Sequence, residues 1–269
     1  MDRRIDSISI KIMIIFINFV VITPINMVDI LNLFNIKEKI AIDSKKLPKH
    51  VALTTDGNFL YAEKNKIDFD EVCRTKSVNI KNVIKVATKL GVPIVTFNIL
   101  SERLTESEHF SVIMDSLVDF FKNIKDWEYL HENQIKLSVM GKWYDLPGRL
   151  VDAIKEAVES TKDYDKFFVN FCVNYSGQEE IIDACRIILR QIQAGKLDSE
   201  SISPQTIKDN LYTSYFIPPD LIIRTGKNKT LRGFLLWDSQ NAKIHFAGKY
   251  WPEFSKTEFL RAIEDYQKD

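Results

Sequence analysis

An apolar run near residue 50 stops at an acid, a glycine and an amide, in the order Asp56-Gly57-Asn58. The residues before it, Val51 to Leu53, are typical of a buried parallel strand, and a glycine lets the backbone turn tightly beside a ligand. If a helix follows, its free backbone N–H groups favour phosphate, and Asp56 is suited to hold a divalent cation against that phosphate. A plain turn with a capping side chain is the commoner meaning of such a tripeptide. The function of this segment therefore depends on the rest of the chain.

A second group of polar residues is basic and follows another apolar strand. Arg224 ends that strand, and Lys227, Lys229 and Arg232 follow in one loop. Most basic loops are solvated surface, but ligands bind at the carboxyl ends of strands in open α/β sheets. We therefore favour an anion site, in which these side chains donate hydrogen bonds to phosphate oxygens.

Composition limits the partners and the compartment. The chain has 269 residues, with 37 Lys plus Arg against 37 Asp plus Glu, so no overall charge attracts nucleic acid. Its cysteines, Cys73, Cys172 and Cys185, contain no Cys-x-x-Cys pair, which indicates a reducing, cytoplasmic compartment rather than a disulfide framework. The histidines stand alone in the sequence, and we assign them no metal role.

The N-terminus is unusually apolar from Ile8 to Ile22. This run falls short of the roughly 20 apolar residues of a spanning helix, and no signal-peptide cleavage site precedes Pro24. Packing on the domain, peripheral membrane contact and translation starting at Met13 or Met27 all remain open. We predict an apolar N-terminal extension over residues 1–45 and one domain over residues 46–269.

Beyond Pro48, short apolar runs alternate with longer amphipathic ones, which is typical of βαβ units. We predict an α/β fold with a mostly parallel central sheet of about six strands flanked by helices. The predicted strands are Val51–Leu53, Ile94–Leu100, Lys136–Met140, Phe167–Val173, Leu221–Arg224 and Lys243–Phe246. The predicted helices are Val78–Leu90, Glu108–Lys125, Pro147–Thr161, Gln178–Ala194, Pro204–Asn210 and Lys256–Gln267.

The predicted helix Glu108–Lys125 has a wider apolar surface than packing against a sheet requires. Burial on two sides is the commoner cause of such a surface. The alternative is that part of it lines a tunnel for a long hydrocarbon. Sequence alone slightly favours burial.

Several short motifs follow one another along the chain in a characteristic order and at characteristic intervals. They are Asp56-Gly57-Asn58, Asn174–Gly177 with Glu180-Ile181, Pro219–Gly226, Phe234–Trp237 and Trp251–Phe254. Together these motifs resemble the cis-prenyltransferase family, which includes undecaprenyl diphosphate synthase and dehydrodolichyl diphosphate synthase. The resemblance covers Pro48 to about Gln267.

The resemblance implies a sheet flanked by helices that enclose a hydrophobic tunnel, with diphosphates at its mouth. The implied reaction condenses isopentenyl diphosphate with an allylic prenyl diphosphate to give a Z-polyprenyl diphosphate, a lipid-carrier precursor, with Mg²⁺ assisting. It also implies a dimer, either with a second copy or with another family subunit.

The resemblance also assigns roles to residues of this chain. Asp56 would bind Mg²⁺ and Gly57 and Asn58 the diphosphate, with Asp56, Asn58 and Ser101 as the catalytic positions. Arg224 would bind isopentenyl diphosphate. We add Lys229 and Arg232 to the diphosphate-binding set because their charges lie in the same loop.

The chain departs from the family pattern around its first motif. Leu60 and Phe69 stand where the family has phosphate-binding arginines, Cys73 stands at a family histidine, and Lys76 stands near a usual glycine. Arg74 is close to these positions but not equivalent. The customary charges for the allylic diphosphate are therefore missing.

The second motif region departs as well. Asn228, Thr230 and Arg232 fall where the family has glutamate, arginine and serine. The asparagine and tryptophan that follow the family's serine are absent after Ser101, where Arg103 is a cation that could compensate. Lys243 falls where the family has a second acid that helps to hold Mg²⁺. Replacing attraction by repulsion at about 4 Å, with an effective dielectric near 20, changes the energy by roughly 8 kcal/mol. Lys243 therefore places the usual metal geometry in question.

Three functions fit this pattern. The first is a divergent cis-prenyltransferase, which the acid and the basic loop support. The second is a catalytically impaired member that stabilises or regulates a hetero-oligomeric synthase, which the lost arginines support. The third is an isoprenoid-binding or isoprenoid-cyclising protein on the same fold. We favour the enzyme.

Overall fold

The computed structural model describes residues 40–106 and 108–268, and the structural statements below concern that part of the chain. Asp43–Asp269 form one compact unit. The apolar extension predicted for residues 1–45, with its run from Ile8 to Ile22, lies almost wholly outside the described residues, so that division stays a prediction. None of the described helices has the length and apolar character needed to cross a bilayer.

The centre of the unit is a six-stranded sheet in the order β3-β4-β2-β1-β5-β6. Every pairing in it is parallel, which confirms the predicted α/β class. The strands are β1 His50–Thr54, β2 Ile94–Ser101, β3 Ile135–Met140, β4 Phe167–Tyr175, β5 Leu221–Arg224 and β6 Lys243–Phe246.

Helices connect the strands and cover the sheet. The α-helices are α1 Asn58–Asn65, α2 Phe69–Leu90, α3 Phe110–Lys125, α4 Glu128–Glu132, α5 Gly148–Glu159, α6 Gly177–Gln193, α7 Pro204–Asp209 and α8 Lys256–Gln267. The sequence-based prediction did not include α4, and it gave no bounds for a helix after Gly57, where α1 lies. It also began α2 at Val78, whereas the Asp68 side chain accepts a hydrogen bond from the Asp70 N–H and starts the helix earlier.

β1 lies in the middle of the sheet, between β2 and β5. Val51, Ala52 and Leu53 are fully buried, as expected for a strand covered on both faces. The chain runs from β1 to β2 on one side and reaches β5 on the other, so the strand order reverses beside β1. A crevice is expected outside the carboxyl ends of strands at such a point.

Helix α3 is buried by two neighbours, which accounts for its wide apolar surface. Phe120 and Phe121 contact the ring of Phe171 on β4, with centroids 5.3 and 5.7 Å away. At the other end of the helix, Ile113 and Leu117 line a cavity beside Asp56. Helix α3 also contacts α2 and α5, which agrees with burial on two sides, and a continuous hydrocarbon tunnel stays a prediction.

Candidate active site

The turn after β1 is built around Gly57. Its φ is +90°, and a Cβ at this position would lie 2.3 Å from Cδ1 of Tyr250. A larger residue would therefore meet both backbone strain and a ring. Helix α1 begins at Asn58, directly after the glycine, so the free N–H groups of its first turn lie beside Asp56.

Hydrogen bonds to the backbone of Asp56 and to its carboxylate fix the position of this residue. Its N–H donates to Oγ1 of Thr225 at 3.0 Å, and its carbonyl accepts from the N–H of Trp251 at 2.9 Å. The guanidinium of Arg224 donates to carboxylate oxygen Oδ2. Oδ1 accepts no hydrogen bond from the described residues, and the side chain is 40% exposed. Asp56 thus has a fixed position and one accessible oxygen.

Arg224 is almost completely buried, with 2% of its side chain exposed. Besides Asp56, it donates to Oγ1 of Thr54 and the carbonyls of Thr225 and Thr230, at 2.7–2.8 Å. Burial lowers the pKa of Arg224 and Asp56 raises it, but a guanidinium stays protonated near neutral pH. The structure therefore directs this cation at Asp56 and the turn around it.

Two cavities adjoin at Asp56. The first cavity, about 200 Å³, lies between α1, α2 and α3, and the second cavity, about 450 Å³, lies towards the loop after β5. The residues that line both are Asp56, Asn98, Ser101, Leu104 and Arg232. One acid and one arginine thus stand between two spaces.

The walls of the two cavities differ in character. Phe69, Ile113 and Leu117 give the first cavity an apolar side. The second cavity is lined by more polar groups, including Arg103 and Gln178. A hydrocarbon chain therefore fits the first cavity better than the second.

The structure brings most of the predicted site residues together. Ser101, at the end of β2, and Arg232 line both cavities. Asn58 lines the first cavity, and its Nδ2 donates to the Thr55 carbonyl at 2.7 Å. Lys229 is exposed, Arg224 is buried, and neither lines either cavity, so the assignment of Arg224 to isopentenyl diphosphate stays a prediction.

Within one chain, Lys243 does not lie near Asp56, so the predicted repulsion of a cation there is wrong. Lys243 begins β6 and is level with Leu221, which is level with Val51. Asp56 lies five residues beyond Val51, or about 16 Å along an extended strand. The Lys243 ammonium donates instead to the carbonyl of Tyr266 on α8, at 3.0 Å. It therefore does not repel a cation at Asp56.

Lys76 is a site residue that sequence reasoning missed. It lies on α2, lines the first cavity, and its ammonium donates to the carbonyl of Ile99 at 2.5 Å. Burial lowers its pKa from 10.5 to about 8, opposed by Cys73 and Asp56. The sequence pattern that could have predicted its burial is its position on one helix face, between the apolar residues Cys73 and Ile80.

The positions of the missing arginines are occupied by apolar groups at the rim of the first cavity. Phe59 and Phe69 pack against His109 with tilted rings, and both ring centroids lie 4.9 Å from that of the imidazole. Leu60 is 49% exposed. Arg74 points away, since it pairs with the exposed Asp70 at 2.6 Å and does not line this cavity. It does not replace the missing charge.

The oxygen atoms around the junction suit a hard cation that arrives with a phosphate. Within the described ranges, no group of three His, Cys, Asp or Glu side chains forms a ready metal cage. Asp56 offers one accessible carboxylate oxygen, and the buried Oδ1 atoms of Asn58 and Asn98 accept no hydrogen bond from described residues. Mg²⁺ commonly uses one or two carboxylates together with substrate phosphate and water. The donor set therefore fits Mg²⁺.

Comparisons with protein families and with known proteins give consistent matches. A family model described as putative undecaprenyl diphosphate synthase matches residues 54–269. A tritrans,polycis-undecaprenyl-diphosphate synthase (geranylgeranyl-diphosphate specific) from Methanocaldococcus jannaschii is 37% identical over 85% of this chain and 83% of its own. An isoprenyl transferase from Thermotoga maritima is 32% identical, over 83% and 95% of the two chains.

A solved structure shows the same architecture. The crystal structure of lavandulyl diphosphate synthase from Lavandula x intermedia, in complex with dimethylallyl diphosphate, superposes with a TM-score of 0.79. That protein is 28% identical, and the match covers 82% of this chain and 96% of that one. The motifs, the fold and these similarities together place this chain in the cis-prenyltransferase family, whose members transfer isoprenyl groups.

Proposed function

We propose that this chain condenses isopentenyl diphosphate with an allylic prenyl diphosphate, assisted by Mg²⁺, to give a Z-polyprenyl diphosphate. The observation that carries the proposal is the junction at Asp56, where an apolar cavity and a more polar cavity share one acid and Arg232. Two diphosphate substrates need two adjoining sites, and a growing hydrocarbon needs an apolar wall.

Each part of the junction has a task in this reaction. The N–H groups at the start of α1 bind the allylic diphosphate in the first cavity, and Arg232 neutralises charge between the two substrates. Arg224 fixes the Asp56 carboxylate, so that its second oxygen faces the ligand. Ser101 positions the second substrate from the end of β2. Mg²⁺, held by Asp56, would supply charge neutralisation for the departing diphosphate.

The bonds balance without a further reactant. The allylic C–O bond breaks and its electron pair leaves with diphosphate. The double bond of the isopentenyl unit forms the new C–C bond, and that unit then loses a proton to the released diphosphate, which restores a double bond. The protein contributes position and charge, since holding reactants in line supplies much of the rate enhancement.

The test uses the purified chain alone with Mg²⁺ and labelled isopentenyl diphosphate. Geranylgeranyl diphosphate is the first allylic substrate to supply, because the relative from M. jannaschii is named as specific for it; other chain lengths follow. We expect an extended lipid that is lost in Asp56→Asn. The matched control is Asp70→Asn, an exposed acid outside the first cavity.

A second function has one specific observation in its favour. Leu60 and Phe69 leave the rim of the first cavity without arginines, as expected for a regulatory or stabilising subunit. Absence of product from the chain alone, with product when another cis-prenyltransferase is added, would support that function and oppose the first. We also propose that the chain forms a dimer, either with a second copy or with such a partner, and that it contacts the membrane peripherally.

A further inference from the structure

Lys76 places a positive charge in a cavity that otherwise has apolar walls on that side. It lies on α2, facing the cavity shared by Asp56 and Arg232, and is only partly exposed. An ammonium has three N–H donors, and the one hydrogen bond of Lys76 to described residues goes to the carbonyl of Ile99. Two donors therefore remain for a ligand.

No acid among the described residues pairs directly with this charge, and Asp56 across the cavity acts on it only as a weaker electrostatic partner. Among the described residues, no carboxylate lies within ion-pair distance of Lys76. Cys73, one helical turn away, is neutral because burial raises the pKa of its thiol. A partly buried cation without a paired anion is costly, so its presence needs an explanation outside the folded chain.

The ligand that fits is an anion with several oxygens. The first cavity also contains the N-terminal turn of α1, whose free N–H groups favour phosphate. Leu60 and Phe69 supply no charge, and Arg74 is 77% exposed and paired with Asp70. Lys76 is the cation of α2 that reaches this space.

We propose that Lys76 binds the diphosphate of the allylic substrate and so replaces, from the next helix, the charge missing at Leu60 and Phe69. The allylic substrate is assigned to the first cavity because Ile113 and Leu117 line it. This inference rests on the proposed function for the identity of the ligand. It adds a binding residue that the family motifs do not contain.

The test measures binding, so that it does not depend on turnover. The probe is geranylgeranyl S-thiolodiphosphate, in which sulfur replaces the bridging oxygen and slows the leaving step, titrated calorimetrically in the presence of Mg²⁺. Lys76→Gln keeps a donor for the Ile99 carbonyl but removes the charge, and Lys76→Arg keeps the charge. Lys122→Gln, an exposed lysine on α3 outside the first cavity, is the control.

A charge-assisted hydrogen bond contributes enough that we expect Lys76→Gln to weaken binding about 10- to 100-fold. Lys76→Arg and Lys122→Gln should stay within about threefold of the unmodified chain, since each keeps the relevant charge or lies outside the cavity. Circular dichroism checks that Lys76→Gln is folded, and Lys76→Met serves as the second uncharged variant.

The outcomes separate this inference from the proposed function. Unchanged affinity in folded Lys76→Gln and Lys76→Met would overturn the role of Lys76 while leaving the condensation reaction intact. Weakened binding in a chain that makes no product would support Lys76 and oppose the reaction. If the unmodified chain does not bind the probe, both proposals fail.

Discussion

At the scale of single residues, the site depends on charges that are buried, where desolvation disfavours them. Arg224 is buried and satisfied, because three oxygen atoms besides the Asp56 carboxylate accept from its guanidinium. Such a pair contributes more to position than to stability, since desolvation offsets most of the attraction. Its consequence is that Asp56 presents one defined oxygen to the cavities before any ligand binds.

Lys76 carries a charge with less support, and this difference should appear in the pH dependence of stability. Its folded-state pKa of about 8 lies below the usual 10.5, so the unfolded chain holds more protons between these values. The free energy of unfolding contributed by Lys76 therefore rises with pH across this window, and the full penalty is present below pH 8. The shift corresponds to at most roughly 3 kcal/mol.

We therefore expect Lys76→Met to be more stable than the unmodified chain at pH 7, by up to roughly 3 kcal/mol, with the advantage shrinking towards pH 10. Asp56, Cys73 and Arg232 face the same space and are unchanged in the variant, so the difference between the two curves isolates Lys76. Urea denaturation at several pH values measures it. A constant difference across this range would show that the lysine is already well solvated.

At the scale of elements, the β1–α1 turn requires glycine for two separable reasons. Gly57 has a φ of +90°, and its added Cβ would meet the ring of Tyr250. Gly91, which ends α2, has a φ of +88° but no heavy atom within 4 Å of an added Cβ. The two glycines therefore share the backbone strain of a substitution but not the clash.

We expect Gly57→Ala to cost more stability than Gly91→Ala, by about 1–3 kcal/mol, because the ring or the turn must move. Gly57→Ala should also reduce diphosphate binding, since the moved turn carries the first N–H groups of α1. Urea denaturation and calorimetric titration measure the two effects. Equal stability losses in both variants would mean that Tyr250 moves aside without cost.

The elements also show what the sequence predicts and what it leaves open. The strands β5 and β6 have their predicted bounds, β5 as a buried apolar run and β6 as an alternating one. Helix α4 was missed because its five residues, Glu128–Glu132, are too few for a periodic pattern. Local pattern thus gives the sheet well, and it gives a short helix such as α7 where a capping residue and a proline mark its start.

Site residues are harder to predict when their role depends on which end of an element they occupy. Asp56 and Ser101 follow apolar strands directly, so their position at the site could be anticipated. Lys243 was assigned from alignment alone, and only the register with Leu221 shows that it lies at the opposite end of the sheet. Lys76 was missed because a lysine on an amphipathic helix usually points to solvent, and its burial depends on α3 and β2.

At the scale of the whole molecule, the site joins segments that are far apart in the chain. Asp56 follows β1, Lys76 lies on α2, Ser101 ends β2 and Arg232 follows β5. They meet because β1 lies directly between β2 and β5 in the sheet. A ligand that occupied this junction would contact groups from each of these segments. Binding should therefore stabilise the whole unit, rather than one loop.

This coupling gives a test of Mg²⁺ at the level of global unfolding. A ligand at 100 times its Kd stabilises the native state by about 2.7 kcal/mol, which for a chain of this size is a rise in Tm of about 5–10 °C. We expect geranylgeranyl S-thiolodiphosphate to give such a rise with Mg²⁺ and a smaller one with EDTA, because a cation held by Asp56 would neutralise the charge of the diphosphate. In Asp56→Asn the difference between the two conditions should disappear, while Asp70→Asn retains it. The same Mg²⁺-dependent rise in Asp56→Asn would mean that the cation is held by the diphosphate and other oxygen atoms, and that Asp56 acts chiefly as the partner of Arg224.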